Sequence, residues 1–320
     1  MRALLATLAA AIAAAPPLLA PTLGTDGVVS TPIALDPADH AVRKVGALTY
    51  LAGWHLRGGG RAFGGLSSMT AQGDGLVAIS DAGVAFRLLP GARGIALGAS
   101  RALPDLAAGI ETKISRDSES STYDAASGRT WVGFETMNAI WRYSPGLARA
   151  EAHAEPAAMA DWPKNRGAEA MIRLRDGRFL VFEESGEVRA DGNNVGLLFP
   201  GDPTGGAPPL IFAYRPPEDF AITDGAELPD GRVLLLHRSF TLTQGARAAL
   251  TIFDPRAIAA GKVIAGREIA RLAAPLTVDN MEALAVTNEG GRTIVWIASD
   301  DNFNPLQRTL LMKFALDPGT

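Results

Sequence analysis

The chain has 320 residues, none of them cysteine, and only four histidines: His40, His55, His153 and His237. Without cysteine the protein has no disulfide framework and no thiolate nucleophile. So few histidines argue against a zinc site built from imidazoles. The formal net charge of −4 argues against a nucleic-acid partner, because a phosphate backbone requires a basic protein face.

Several catalytic signatures are also missing. The nucleophile elbow G-x-S-x-G does not occur, since G-G-L-S-S places Ser67 in a different frame, and the phosphate-binding G-x-x-x-x-G-K-[ST] is absent. A Ser-His-Asp hydrolase and a P-loop enzyme are therefore disfavoured. After the N-terminal segment, helical periodicity is weak and the sequence contains no long apolar run. We therefore expect no stable insertion into a membrane.

The first residues have the pattern of a secretory signal. Arg2 precedes an apolar core, residues 3–15, that is too short to span a bilayer, and Pro16 and Pro17 end any helix. We expect residues 1–24 to be a signal peptide without one obvious cleavage point, and residues 25–44 to be an N-terminal extension. The mature protein is then periplasmic or secreted.

Glycine and proline are abundant, with 35 and 21 residues, and they separate short apolar runs. Five such runs follow a glycine-containing turn, at residues 75–81, 128–135, 177–184, 231–238 and 291–300. Each run is preceded by a shorter segment, and we take Ser67, Glu119, Glu169, Asp224 and Glu282 as equivalent positions, at steps of 52, 50, 55 and 58 residues. Repeats of about this length are typical of β-propeller blades.

We therefore predict an all-β fold, a single β-propeller domain over residues 45–320. Five blade repeats are visible, and the propeller has five or six blades. A sixth would lie within residues 95–114 or 200–214. The stretch 45–54 is expected to pair with the C-terminal strands, so that N- and C-terminal strands together close the ring.

Acidic residues recur at equivalent places in these repeats. If the blades are equivalent, Glu119, Glu169, Asp224 and Glu282 project from four first strands toward one axis, and Ser67 leaves one blade without a carboxylate. The ends of the second strands form another series: Asp81, Glu135, Glu183 or Glu184, Arg238 and Asp300. Converging carboxylates repel one another unless cations or water lie between them.

Several segments resemble the phytase-like family, described as having esterase-like activity of phytase. They are F-G-G-L-S-S at Phe63, R-D-S-E-S at Arg116, A-I-T-D-G-A-E-L-P-D-G-R-V-L-L-L-H-R, N-M-E-A-L and S-D-D-N-F-N-P-L-Q-R-T. The resemblance implies a propeller whose acids serve phosphate-ester hydrolysis with a divalent cation. Carried onto this chain, those acids are Glu119, Glu169, Asp224, Glu282, Asp300 and Asp301. One departure is His237-Arg238, where a glutamate is expected before the arginine.

These observations give each candidate a role and an alternative. Oxygen ligands favour Ca²⁺ as the cation. Glu169 and Glu282 are the candidate catalytic carboxylates, and Arg238 would stabilise developing charge. Candidate substrate-binding residues are Arg238, Lys113, Arg116 and His237. The alternatives are an ion pair between Arg238 and an axial acid, a role in turn capping for the D-D-N-F-N segment, and structural hydrogen bonding for the axial acids.

The hypothesis from the sequence is an exported, metal-assisted hydrolase of phosphate esters, a monomer that acts on a small-molecule ester. A non-catalytic periplasmic binding propeller is one alternative. A Ca²⁺-dependent lactonase or carboxylic esterase is another, because propellers host many chemistries.

Overall fold

The computed structural model describes residues 27–58, 63–104, 117–164, 166–184 and 192–320, and these residues form an all-β protein. Four short 3₁₀ turns interrupt the described strands: Pro145–Leu147, Ala157–Met159, Pro203–Gly205 and Pro255–Ala257. Among the described residues, no helix has the length and apolar character needed to cross a membrane. Residues 1–26, which contain the expected signal peptide, lie outside the described part of the chain.

The strands form five sheets that are the blades of a propeller. Blade one contains β4 (Leu66–Gln72), β5 (Gly75–Ser80), β6 (Val84–Gly91) and β7 (Gly94–Ala102). Blade two contains β8 (Ser118–Asp124), β9 (Arg129–Phe134), β10 (Ala139–Tyr143) and β11 (Ala150–Ala154). Blade three contains β12 (Ala168–Arg173), β13 (Phe179–Glu183), β14 (Asn194–Phe199) and β15 (Leu210–Arg215). Blade four contains β16 (Ala221–Glu227), β17 (Val233–Thr241), β18 (Gly245–Phe253) and β20 (Arg267–Leu272).

Blade five combines the two ends of the chain, as the sequence predicted. Its strands are β21 (Met281–Glu289), β22 (Arg292–Ser299), β23 (Thr309–Leu316) and β3 (Leu48–Gly58), with β1 (Val28–Pro32) and β2 (Lys44–Val45) paired to β3. β3 runs antiparallel to β23, from Leu48 opposite Leu316 to Leu56 opposite Thr309. Separation of the two termini would therefore open the ring.

The segments considered for a sixth blade belong to the five blades. Within 95–114, the described residues up to Ala102 form β7, the fourth strand of blade one. Within 200–214, the structure places most of β15, the fourth strand of blade three. A short strand, β19 (Val263–Ala265), leaves the blade-four sequence and pairs in parallel with β15. Blades three and four are thus joined by backbone hydrogen bonds.

The same turn connects the first two strands in blades three and four. In blade three, Gly177 has a φ of 91° and donates its N–H to the Leu174 carbonyl at 2.9 Å. In blade four, Gly231 has a φ of 86° and donates to Leu228, also at 2.9 Å. Positive φ is the conformation that glycine adopts without a steric penalty. This explains why D-G-R recurs before the second strand.

An apolar cluster fills each of the five interfaces between neighbouring blades. The interface of blades four and five, for example, packs Leu234 and Leu236 against Leu284 and Ile297, all of them at most 1% exposed. Burying an aliphatic side chain of this size contributes about 1.5–3 kcal/mol. Because every blade buries both faces, the two middle strands of a blade read as near-continuous apolar runs.

A polar contact adds to the apolar packing between blades two and three. Asp202, in the loop after β14, accepts hydrogen bonds from Trp131 Nε1 at 2.8 Å and from Arg142 Nη1 at 2.5 Å, both in blade two. The N–H of Thr204 also donates to it at 2.9 Å. Burial acts to raise the pKa of Asp202, but these hydrogen bonds outweigh burial and hold the pKa below its usual value.

We expect Asp202→Asn to lower the free energy of unfolding by about 1–3 kcal/mol at pH 7, since charge-assisted hydrogen bonds are lost. The lowered pKa means that this stabilisation is present above about pH 4 and is lost as the pH falls through the folded-state value. Urea denaturation at pH 7 and pH 3 tests this. The control is Asp254→Asn, whose carboxylate accepts hydrogen bonds from the exposed side chain and the backbone N–H of Arg256. Equal losses for the two variants at pH 7 would contradict the assignment.

Candidate metal and active site

The innermost strands of the five blades, β4, β8, β12, β16 and β21, contact one another in a closed circle around the axis. Each of these strands has a β-bulge near its start, where one residue is left out of the pairing with the second strand. A bulge re-aims the side chain of the extra residue. The bulged residues are Ser67, Glu119, Glu169, Thr223 and Glu282.

The bulge in blade four corrects the alignment made from the sequence. Thr223, not Asp224, occupies the position of Glu119 and Glu169, because Asp224 pairs with Leu236 in the regular ladder. The equivalence assumed for Asp224 is therefore wrong by one residue. The acids at this position in other repeats suggested Asp224 in the segment A-I-T-D-G-A-E. The strand register instead places Thr223 at the bulge.

The two hydroxyl-bearing bulges connect neighbouring blades in the same way. Ser67 Oγ donates to the carbonyl of Ser118, just before the bulge of blade two. Thr223 Oγ1 donates to the carbonyl of Met281, just before the bulge of blade five, at 3.2 Å. These two side chains are thus part of the blade architecture. The axial set at this level consists of three glutamates and two hydroxyl groups.

Asp224 is buried and hydrogen-bonded to backbone. Its Oδ2 accepts from the N–H of Leu284 in blade five at 2.7 Å, and its Oδ1 accepts from the N–H of Gly225 at 2.7 Å. Burial raises the pKa of Asp224 well above its ordinary value, against these hydrogen bonds. Both oxygens are therefore used by the backbone, which matches the structural alternative for this acid.

The ends of the second strands form the other series that the sequence indicated. Asp81 in blade one, Glu135 in blade two and Asp300 in blade five occupy the same position. The backbone N–H of each donates to the carbonyl of the residue that lies two positions before the bulge of its blade. Glu183 pairs with Ala168, just before the bulge of blade three, so the equivalent residue there is its neighbour Glu184. In blade four, Arg238 occupies this position opposite Ala221. The series is therefore four acids and one arginine.

The two series meet at one end of the axis and form two groups of carboxylates. Asp117, Glu119 and Glu135 form one group, and Glu135, Glu169 and Glu184 form the other. Within each group, one oxygen per residue lies within 4.8 Å of the others. Glu135 belongs to both groups. Together we call these five residues the axial carboxylates.

Asp117 is the member that sequence reasoning missed. It lies two residues before the bulge in R-D-S-E-S, and its carbonyl accepts the N–H of Glu135 at 2.9 Å. In blade three the corresponding residue is Gly167, where an added Cβ would lie 2.7 Å from Cα of Glu135. The alternation of Asp117 and Glu119, two residues apart, was the available signal. Blade three is so close to Glu135 that a side chain at Gly167 would clash, whereas blade two accommodates the side chain of Asp117.

Burial and mutual repulsion make these acids weak. Burial, followed by the charge of Asp117, raises the pKa of Glu135 to about 8. Burial and neighbouring carboxylates raise the pKa of Glu119 and of Glu169 well above the ordinary value. At neutral pH the group therefore binds protons, or else requires a cation, because several adjacent buried negative charges are unstable together.

A second acidic pair lies beside the axial carboxylates. Burial raises the pKa of Glu282 to about 8 against the lowering effect of Arg238, and burial raises the pKa of Asp300 to about 7. Asn280 Nδ2 donates to Glu282 Oε1 at 2.9 Å. The charge of Asp300 also contributes to the raised pKa of Glu282, so these two residues extend the same acidic region into blade five.

Arg238 is the cation that faces these acids. Its Nη2 donates to Glu184 Oε1 at 2.7 Å, and its Nε lies 2.9 Å from Glu282 Oε1 without being aimed at it. Its Nη1 donates to Asn280 Oδ1 at 3.3 Å. In this conformation Arg238 therefore forms ion pairs with acids near the axis, which is the structural alternative raised from the sequence. Arg238 joins the carboxylates of blades three and five and supplies positive charge where the other blades have an acid.

The remaining predicted substrate ligands are elsewhere. His237 is fully buried, its ring stacks on Tyr214, and its Nε2 lies 2.8 Å from Thr251 Oγ1. Burial lowers the pKa of His237 to about 3, so it is a neutral core residue with no access to a substrate. The pleat places it on the strand face opposite Arg238. Lys113 and Arg116 lie outside the described residues.

The D-D-N-F-N segment is a capped turn, as its alternative predicted. Asp301 accepts the N–H of Gly65 in blade one at 3.0 Å, the N–H of Phe303 at 3.1 Å and the hydroxyl of Thr309 at 2.8 Å. Asp300 accepts the N–H of Asn302 at 2.6 Å. Asp301 thus holds blade five against blade one, while Asp300 retains contact with the acidic region.

The donors present fit a hard divalent cation. The axial carboxylates offer only oxygen, and Ca²⁺ binds six to eight oxygens at 2.3–2.6 Å. Oxygens placed around one such ion are separated by no more than about 5 Å, which agrees with the 4.8 Å grouping. The raised pKa values are a further sign that positive charge would stabilise this region.

Comparisons with known proteins agree with the resemblance seen in the sequence. The sequence model of the phytase-like family, described as "Esterase-like activity of phytase", matches residues 61–303. No curated protein matches the chain. Glutaminyl cyclase of Myxococcus xanthus is a similar solved structure, with 10% identity and a TM-score of 0.45, covering 79% of this chain and 92% of that one. Hydrazine synthase of Kuenenia stuttgartiensis has 13% identity and a TM-score of 0.42, covering 77% and 79%. At these scores neither structure informs the function.

We expect Glu135→Gln to stabilise the protein in the presence of a chelator. An acid whose pKa is raised on folding destabilises the folded state when it ionises, so the wild type should lose stability as the pH rises from about 5 to 8. The variant should lose less. Thermal unfolding in chelator at pH 5, 7 and 8.5 measures this, with the exposed Glu155→Gln as control. A wild type that gains stability over this pH range would contradict the electrostatic account.

Proposed function

The chain belongs to the phytase-like family, and from this premise we propose that it hydrolyses phosphate esters with a divalent cation bound by the axial carboxylates. The observation that carries the proposal is the pair of carboxylate groups that share Glu135. Purely structural acids are expected to be satisfied by backbone or arginine, as Asp224 and Asp301 are. The axial carboxylates instead lie close to one another, and Glu184 among them also pairs with Arg238.

Asp117, Glu119, Glu135, Glu169 and Glu184 would hold the cation, which we propose to be Ca²⁺. When bound, the cation supplies charge neutralisation and polarisation of the phosphate group. This assignment retains Glu119 and Glu169 from the sequence and adds three acids. It leaves Asp224 and Asp301 to the roles that their hydrogen bonds indicate.

Glu282 is the candidate general base. It lies outside the two carboxylate groups, is held by Asn280, and is close enough to Arg238 for its charge to be partly balanced. A carboxylate in this position accepts the proton of the attacking water, and a general base contributes typically 10²–10⁴-fold to a rate. Asp300, whose pKa burial raises to about 7, adds negative charge beside it when ionised.

Arg238 has two functions in this proposal. In the present conformation it fixes Glu184 and Glu282 by ion pairs. Its side chain is 34% exposed, so one of its donors can turn to a phosphate oxygen when a substrate neutralises the neighbouring acids. It would then stabilise the charge that develops in the transition state.

We further propose that the protein acts outside the cytoplasm as a monomer. The support for export is the N-terminal sequence, in which Arg2 precedes the apolar residues 3–15. The absence of cysteine is compatible with a propeller whose stability comes from its five apolar interfaces.

The decisive test is hydrolysis of a panel of phosphomonoesters and phosphodiesters with added Ca²⁺, Mg²⁺ or Mn²⁺. We expect turnover that a chelator abolishes, and a loss of about 10²-fold or more in kcat for Glu282→Gln. Glu169→Gln should lose activity together with cation affinity. Asp254→Asn, at an exposed ion pair, serves as the control and should keep full activity.

The same panel should contain lactones and carboxylic esters. Turnover of these substrates alone would overturn the phosphate assignment and favour the lactonase or carboxylic esterase. A cation-dependent rise in thermal stability without any ester turnover would favour a binding propeller.

A further inference from the structure

The hairpin of β17 and β18 extends beyond the rest of blade four. Pairing between β16 and β17 ends with Ala221 opposite Arg238. β17 and β18 continue for three more pairs, which are Ser239 with Arg247, Phe240 with Ala246, and Thr241 with Gly245. The extension lies at the end of the blade that carries Arg238, and therefore projects past the axial carboxylates.

The extension presents an aromatic side chain to solvent. Phe240 is 68% exposed, although phenylalanines such as Phe182 and Phe199 are at most 1% exposed in this protein. Alternation along a strand places Phe240 on the same face as Arg238, two residues and about 7 Å away. The ring leaves apolar surface in water beside Arg238, and an apolar group of a ligand would be stabilised by covering it.

The projecting hairpin is braced. Arg247 Nη2 donates to Ser239 Oγ at 2.6 Å, across the first of the extra pairs. The Arg247 guanidinium also lies 5.1 Å from the ring centroid of Phe220, which is buried. The hairpin is thus held in place by contacts that do not involve the Phe240 ring, so the exposure of this ring is not needed for the hairpin to form.

A cavity of about 360 Å³ adjoins Phe240 and reaches the edge of the axial carboxylates at Glu184. Its lining includes Glu184, which is an axial carboxylate, and Arg238, together with Arg166 and Asp219. The volume is within the range of small-molecule sites, about 300–1,000 Å³. Glu184 would hold the cation, which leaves two arginines and Asp219 as the charged side chains of this lining, few cationic groups for several phosphates.

From this arrangement we infer that the substrate is a phosphate ester whose alcohol portion is apolar or aromatic and rests against Phe240. This inference depends on the proposed function for its phosphate-binding part. The phosphate lies toward Arg238 and the axial carboxylates, and the ester oxygen directs its organic substituent along the strand toward the ring. An alcohol portion carrying further phosphates is disfavoured by the carboxylate of Asp219.

Binding of two phosphonates in the presence of Ca²⁺ tests the inference without requiring turnover. Phenylphosphonate and methylphosphonate share the anionic group and differ in the organic substituent, so calorimetry of both isolates the contribution of the ring. We expect the wild type to bind phenylphosphonate up to about tenfold more tightly, and Phe240→Ala to reduce the ratio to about twofold or less. Because Phe240 is exposed, the variant should fold normally.

Ile211→Ala is the matched control. Ile211 is 51% exposed on the fourth strand of blade three, and its truncation should leave the ratio unchanged. Equal affinity of the wild type for both phosphonates, no binding of either, or a ratio that survives Phe240→Ala would overturn the inference.

Kinetics separate this inference from the proposed function. Preferential binding of phenylphosphonate that depends on Phe240, without hydrolysis of any phosphate ester, would leave the ligand class standing and refute the enzyme. Hydrolysis of naphthyl phosphate and glycerol phosphate with equal kcat/KM in both the wild type and Phe240→Ala would support the enzyme and refute the ligand class.

Discussion

The β-bulge at the start of each inner strand is the constraint on which the axial site depends. Five bulges in register turn five side chains out of the regular alternation, and the closed circle of inner strands brings them to the same end of the axis. Where the bulged residue is Ser67 or Thr223, it binds the backbone of the next blade. Where it is a glutamate, the same backbone geometry concentrates negative charge. One local feature therefore serves both the assembly of the ring and the chemistry at its centre.

The concentration of charge has a thermodynamic consequence. Carboxylates that are buried next to one another destabilise the fold as they ionise, so the region favours protons or a cation over solvent alone. Arg238 partly relieves the repulsion, because it replaces the acid of blade four and joins Glu184 to Glu282. The apolar interfaces between blades supply the stability that such a site reduces. Binding at the axis and folding of the propeller are thus coupled through the same set of residues.

The repeat, the propeller, and the closure of the ring by residues 45–54 could be predicted from sequence, because spacing and turn residues determine them. The end-of-strand acids were also visible as a pattern, although Glu183 and Glu184 could not be separated. What the sequence could not reveal was the register of the bulges, which exchanges Asp224 for Thr223. The sequence also could not reveal which side chains are close together in the fold. Asp117 lies among the axial carboxylates, and His237 stacks on Tyr214 in the core.

The most direct test of the axial account is the number of protons released when the protein binds Ca²⁺. Calorimetry in two buffers with different ionisation enthalpies gives this number, since ligands that are protonated beforehand must lose their protons on binding. The account predicts release of about one proton or more per bound ion at pH 6.5, and less at pH 9. Absence of Ca²⁺ binding, or binding heats that do not depend on the buffer at either pH, would contradict the claim that the axial carboxylates form a cation site.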